Sequence, residues 1–155
     1  MSVTPSSSDT KSKASVVEVT LESTLKNVEV AEEISRRVSA TAGFGPEAAF
    51  QMEMAVHEAV INAIYHGNNQ DPGKSVLLRF LIFEDRVEIH VRDQGKGFDP
   101  DRLPDPVAEK NLLNASGRGI FLVRKFMDEF KVETSVSSGT EVIMVKHLDS
   151  EIQSN

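Results

Sequence analysis

F-Q-M-E-M-A-V-H-E-A-V-I-N-A-I-Y-H, from Phe50 to His66, is the stretch that decides the fold. Phe50, Met52, Ala55, Val56, Ala59, Val60, Ala63 and Ile64 cover much of a helical circumference rather than one stripe. A helix of that kind lies across a sheet with other elements on its flanks. Gly45-Pro46 opens it, with proline at the first helical position, and Gly67-Asn68-Asn69 closes it at about His66 before Asp71-Pro72-Gly73 turns the chain. Among its polar residues, Glu58 and Asn62 lie one helical turn apart on a shared face.

Upstream, Val17, Val19 and Leu21 alternate with Glu18, Thr20 and Glu22, the period of a strand with one buried face. Leu25, Val28, Ala31, Ile34 and Val38 then recur at helical spacing, and Gly43 stops that helix in a left-handed conformation. Downstream, Val76 to Phe83 shows little alternation and reads as a central strand. Glu84-Asp85 turns it into an antiparallel partner carrying Val87, Ile89 and Val91. Gly97 to Ser116 has prolines at 100, 104 and 106 and no consistent period, so it reads as a long loop, and loops of that length are usually functional. Gly119 starts a third helix with Ile120, Val123, Met127 and Phe130 on one face. Lys131 to Val136 and Thr140 to Lys146 close the chain as a hairpin around Ser137-Ser138-Gly139. The expected fold class is α/β: a two-layer sandwich with helices on one face of a mixed, mostly antiparallel sheet.

Bulk properties narrow the function. The 155 residues suit one domain. A net charge of −7, with no basic run longer than two residues, argues against direct binding of nucleic acid, which needs clustered cations. The chain has no cysteine, which removes disulfides and thiolate metal sites. No apolar stretch approaches the roughly 18 residues of a membrane span, and residues 1–15 lack the apolar centre of a signal peptide. The expectation is a cytoplasmic protein: a disordered tail over 1–15, one domain over 16–148, and a polar tail over 149–155.

Three boxes carry chemistry. In E-A-V-I-N-A, Glu58 to Ala63, the Asn62 amide oxygen is a hard donor suited to Mg²⁺, and Glu58 can orient a hydroxyl and accept its proton. The same pair can also simply hydrogen-bond to neighbouring loops; the apolar remainder of the helix, which leaves two polar groups in need of partners, favours the ligand. His57, about 100° around the helix from Glu58, reads as structural, and His66 as closing the helix near its C-terminus. In D-Q-G-K-G-F, Asp93 to Phe98, an acid at a strand end can accept from an exocyclic amino group such as that of adenine, while Gly95 and Gly97 let backbone approach a flat ligand. A plain turn or a cation-binding loop is the competing reading, although the acidic pattern of a calcium loop is missing. In S-G-R-G-I, Ser116 to Ile120, glycines open a helix whose first N–H groups attract phosphate, with Arg118 adding charge; a tight turn with a solvated arginine is the alternative. The Walker pattern is absent.

In this order and at these separations the boxes resemble the GHKL (Bergerat-fold) ATPases, a superfamily that includes gyrase, the heat-shock chaperone, histidine kinases and mismatch-repair ATPases. H-E-A-V-I-N-A-I-Y-H-G, R-D-Q-G-K-G-F and S-G-R-G-I-F-L-V-R-K-F-M-D are similar to the short bacterial anti-sigma-factor serine/threonine kinases, over roughly Val16 to Leu148. The resemblance implies ATP and Mg²⁺ as cofactors, Glu58 as general base and Asn62 as metal ligand. It implies that Asp93 binds the adenine amino group in a pocket shaped by Gly95 and Gly97. Gly117, Arg118 and Gly119 are then expected to close on the phosphates beneath a lid from Asp99 to Ala115, and Thr140 to place a hydroxyl near Asp93. It further implies three partners: a sigma factor that is sequestered, a small anti-anti-sigma (antagonist) protein that is phosphorylated, and a second copy in a homodimer. Some relatives carry a basic residue where this chain has Ala115, so phosphate contact leans on Arg118 or Lys110. The alternative function is a nucleotide-responsive binding module without significant kinase turnover.

Overall fold

The structure, a computed structural model, describes residues 13–95, 119–135 and 139–148. Gly97, Gly117, Arg118, Lys110, the segment Asp99 to Ala115, the hairpin tip and most of both tails lie outside the described residues. The elements run β1 (Ser15–Glu22), α1 (Lys26–Ala42), α2 (Pro46–Asn62), a π turn (Ala63–Gly67), β2 (Ser75–Ile82), β3 (Arg86–Arg92), α3 (Gly119–Phe126), β4 (Glu129–Ser135) and β5 (Gly139–His147).

Five strands form one sheet in the order β1-β2-β3-β5-β4. The α/β sandwich is as expected, and all four described pairings are antiparallel, within the mixed, mostly antiparallel sheet anticipated. The register sets one row across the full width: Val19 opposite Leu78, Leu78 opposite Val91, Val91 opposite Val142, Val142 opposite Val132. Beside it Phe80, Ile89 and Met144 form a second row with no exposed surface. Alternation across the pleat turns both rows to the helices, and each fully buried large side chain contributes about 1.5–3 kcal/mol. β2 is central as its composition suggests, yet its burial alternates, with Leu77, Arg79 and Leu81 half-buried on the face away from the helices.

α1 and α2 form an antiparallel hairpin. Gly43 caps α1 at φ 95, and Gly45-Pro46 starts α2 as its chemistry requires. α2 packs between α1 and α3 and over the sheet, so Met52, Val56 and Val60 have no exposed surface. Among the described residues no helix is long and apolar enough to cross a membrane.

Two helix ends differ from the sequence reading. α2 leaves the α ladder at Asn62 rather than near His66, and the Asn68 N–H donates to the Ala63 carbonyl at 2.8 Å, an i to i−5 bond. Single π turns inside α-helices are rare and frequently mark functional sites. α3 ends at Phe126, so Phe130 belongs to β4 and not to a helix face. The Lys146 ammonium, from β5, donates to the Phe126 carbonyl at 2.6 Å and to Gln51 Oε1 on α2 at 2.7 Å, capping α3 where a cation is favoured.

Candidate nucleotide site

Asp93 follows the last residue of β3 and is locked to the start of β5. Its N–H donates to the Thr140 carbonyl at 2.9 Å, and the Thr140 N–H donates back to Asp93 Oδ1 at 3.1 Å. The Gly95 N–H donates to the same oxygen at 2.9 Å. Oδ1 thus takes both bonds, and among the described residues Oδ2 takes none, which leaves it for an amino group on a ligand. The side chain is 6% exposed. Burial pushes its pKa above the ordinary aspartate value; the N–H groups of Gly95 and Thr140, and the charges of Lys74 and Arg92, only partly oppose it.

The end of α2 is pressed against this carboxylate. A Cβ on Gly67 would sit 2.1 Å from Asp93 Oδ2, and one on Gly95 would sit 2.0 Å from the Gly67 carbonyl oxygen. Only glycine at both positions lets the π turn and the strand-end loop approach this closely. Asn62 is the last residue of α2, five positions before Gly67. Glu58 lies one turn further back, 19% exposed at its side chain. Sequence spacing placed Glu58 and Asn62 on one face; the structure adds that the same helix carries them toward Asp93, Gly95 and Thr140. Gly119 begins α3 as expected.

Asn68, read from sequence only as part of a helix stop, organises the site. It has no exposed surface. Its Nδ2 donates to Ser23 Oγ at 2.8 Å and to the Ser75 carbonyl at 2.9 Å, and its Oδ1 accepts from the Gln94 N–H at 2.7 Å. Ser23 Oγ in turn donates to the Lys74 carbonyl at 2.8 Å. One amide thereby ties the end of β1, the start of β2 and the D-Q-G loop to the π turn. The clue available in the sequence was a Gly-Asn-Asn placed directly after the helix that bears the carboxylate–amide pair. Replacing Asn68 with Ala leaves several buried groups without partners at about 1–3 kcal/mol each. The expected loss is about 3 kcal/mol, a melting temperature lower by roughly 6–12 °C in calorimetry, and weaker ATP binding in the folded fraction.

His57, expected to be structural, contacts Glu32 Oε2 on α1 through its Nδ1, and its Nε2 lies 3.9 Å from Glu58 Oε2. His66 lies in the π turn with Nε2 buried and without a hydrogen-bond partner among the described residues. No group of three or more histidines and carboxylates among the described residues is placed to hold a metal. A divalent ion that relies on ligand phosphates and one or two protein oxygens fits this donor set. The Asn62 amide, 6% exposed, is a hard donor of the kind Mg²⁺ takes.

Comparison with known proteins agrees with this arrangement. Residues 21–146 match the family model described as the histidine kinase-like ATPase domain. The chain is 35% identical over 120 residues to the serine-protein kinase RsbW of Bacillus velezensis, covering 74% of each chain. It is 33% identical over 120 residues to the RsbW of Bacillus subtilis, again covering 74% of each. It is 39% identical over 100 residues to the anti-sigma F factor of Geobacillus thermodenitrificans, covering 63% of this chain and 68% of that one. A carboxylate–amide helix abutting a glycine-flanked aspartate, together with a family match that spans most of the residues, places the chain in the histidine kinase-like ATPase family.

Proposed function

We propose that the chain is an ATP-dependent serine/threonine protein kinase and anti-sigma factor. It sequesters a sigma factor and phosphorylates a small anti-anti-sigma protein, acting in the cytoplasm as a homodimer. The observation that carries the reading is the close approach of the Glu58–Asn62 helix, through Gly67, to the Asp93–Gly95–Thr140 cluster. The printed names of the relatives support it.

In this reading the nucleotide lies across the open end of the sandwich. Asp93 Oδ2 accepts from the adenine amino group, which selects adenine over guanine because guanine presents a carbonyl there. Glycine at 95 and 97 keeps the ring edge close to backbone. Gly117, Arg118 and Gly119 lead into α3, whose first N–H groups hold phosphate oxygens. Asn62 would hold Mg²⁺, which would supply charge neutralisation on the phosphates. Glu58 accepts the proton of the acceptor hydroxyl as its oxygen bonds to the γ-phosphorus and the bond to the β-bridging oxygen breaks, with ADP leaving with that electron pair.

The test is a pull-down from cells of the source organism, followed by incubation with γ-labelled ATP and Mg²⁺. Recovery of a sigma factor together with a small labelled protein is expected. Partners recovered without label point to the binding-module alternative. Absence of heat with ATP plus Mg²⁺ in titration calorimetry on the pure, folded chain overturns the reading altogether.

A further inference from the structure

β1 and β4 are the two edges of the sheet. β4 carries Glu129, Lys131 and Glu133 on the face away from the helices, with Lys131 Nζ 3.4 Å from Glu133 Oε2, and charges of that kind keep an edge from pairing with another chain. β1, S-V-V-E-V-T-L-E, has no lysine, no proline and no bulge: its residues pair one for one with β2, from Ser15 opposite Ile82 to Glu22 opposite Ser75. Among the described residues nothing pairs with its other side. A long, regular, apolar edge is a template for a further strand. Two of its valines also stand in solvent. Val16 is 58% exposed and Val17 37%, although Val17 lies opposite Phe80, which has no exposed surface. On that helix-facing side Leu21 is buried and Val19 packs partly buried against the core, so the cover thins from Leu21 towards Val17.

The pattern of the strand identifies what completes it. When two edges pair antiparallel about a two-fold axis normal to the sheet, helix-facing residues meet helix-facing residues. Centred on Val19, this pairing sets Val19 opposite Val19 of the second copy and Val17 opposite its Leu21, an apolar row in which each copy covers the exposed valine of the other. On the other face Glu18 meets Thr20 and Val16 meets Glu22, with no like charges directly opposite. Glu18 keeps Arg79 of its own chain at 3.6 Å. Neighbouring registers are worse. Centring on Glu18 sets that carboxylate against its own copy, centring on Thr20 sets Glu18 against Glu22, and centring on Val17 sets Val19 against Ser15 and Leu21 against Lys13. We propose that β1 is the interface of the homodimer, two copies joining edge to edge about Val19 so that their sheets become one. The inference deepens the reading of the chain as a homodimer and rests on it.

The full chain has no cysteine, so single substitutions report the register directly. Under mild oxidation Val19→Cys should form a covalent dimer, because residues facing each other across an antiparallel pair lie about 4.5–5.5 Å apart, within reach of a disulfide. Val17→Cys should not, since the two copies of that position are displaced along the strands by roughly 13 Å. Val17→Lys sets an ammonium against Leu21 of the second copy and should raise the dimer dissociation constant in sedimentation by about tenfold or more, with circular dichroism showing the fold retained. A Val19→Cys cross-link that is absent or no stronger than that of Val17→Cys, or a Val17→Lys variant that dimerises as wild type does, overturns the interface and leaves the homodimer standing. A wild type that sediments as a monomer at every concentration removes both.

Discussion

Glu58→Gln is expected to bind ATP as wild type does while losing about 10²–10⁴-fold in phosphoryl transfer, the range typical for removing a positioned general base. The amide keeps the shape of the carboxylate and cannot take a proton. The side chain is 19% exposed and its ion-pair contact among the described residues is with the His57 imidazole, 31% exposed, at 3.9 Å, so the neutral replacement leaves no buried group stranded. Stability should change by no more than about 0.5 kcal/mol, as for other substitutions near a surface. Single-turnover transfer from labelled ATP measures the first effect and titration calorimetry the second. A variant that transfers at the wild-type rate removes Glu58 as the base.

Asp93→Asn separates recognition from folding. Asparagine keeps Oδ1, and with it the N–H bonds from Gly95 and Thr140 at 2.9 and 3.1 Å. It exchanges Oδ2 for an N–H₂, a donor facing the adenine donor. Losing a charged hydrogen bond of about 1.5–3 kcal/mol predicts a fall in ATP affinity of roughly 10- to 100-fold. The fold should not suffer. Burial raises the Asp93 pKa above its ordinary value, so the native state takes up a proton at this group more readily than the unfolded chain does. Its stabilising contribution is therefore present at pH below the unfolded value and lost as pH rises through the raised one. At pH 7 the ionised group is a cost that asparagine lacks, and the variant should melt at or above the wild-type temperature, the gap closing as pH falls. The same shift predicts that wild-type ATP affinity drops on acidification sooner than an ordinary aspartate would allow, while the variant shows no such step. An unaltered preference for ATP over GTP takes Asp93 out of the adenine pocket.

The parts of the molecule legible in the sequence were those specified by local chemistry. Gly45-Pro46 starts α2, Gly43 ends α1, and alternation over residues 87–91 gives β3 with its inward valines and isoleucine. Asp93 and Gly95 stood out as an acid and a glycine at a strand end, Thr140 came only from the family resemblance, and the structure brings the three together. Partners far along the chain decided what was missed. The π turn is held by Asn68, whose contacts with Ser23, Ser75 and Gln94 span up to 45 residues. α3 stops early because β5 supplies both the Lys146 cap and the carbonyl of Val145, which accepts from the Asp128 N–H at 2.8 Å. The fully antiparallel order follows from β5 entering between β3 and β4, a placement to which no period in the sequence refers. His57 reads as structural, and its contact with Glu32 on another helix is one that no spacing in the sequence shows.

A regular α-helix turns about 100° per residue, and the window Ala63–Gly67 spends one residue more than a regular turn. Everything after it therefore emerges rotated relative to Glu58 and Asn62. Chain length in this window, more than residue identity, sets the angular phase between the helix that carries the transfer chemistry and the loop that recognises the base. A one-residue deletion there would repair the backbone ladder and still swing Gly67 and Asn68 away from Asp93, so insertions and deletions should be far worse tolerated here than at the Asp71-Pro72-Gly73 turn a few residues on.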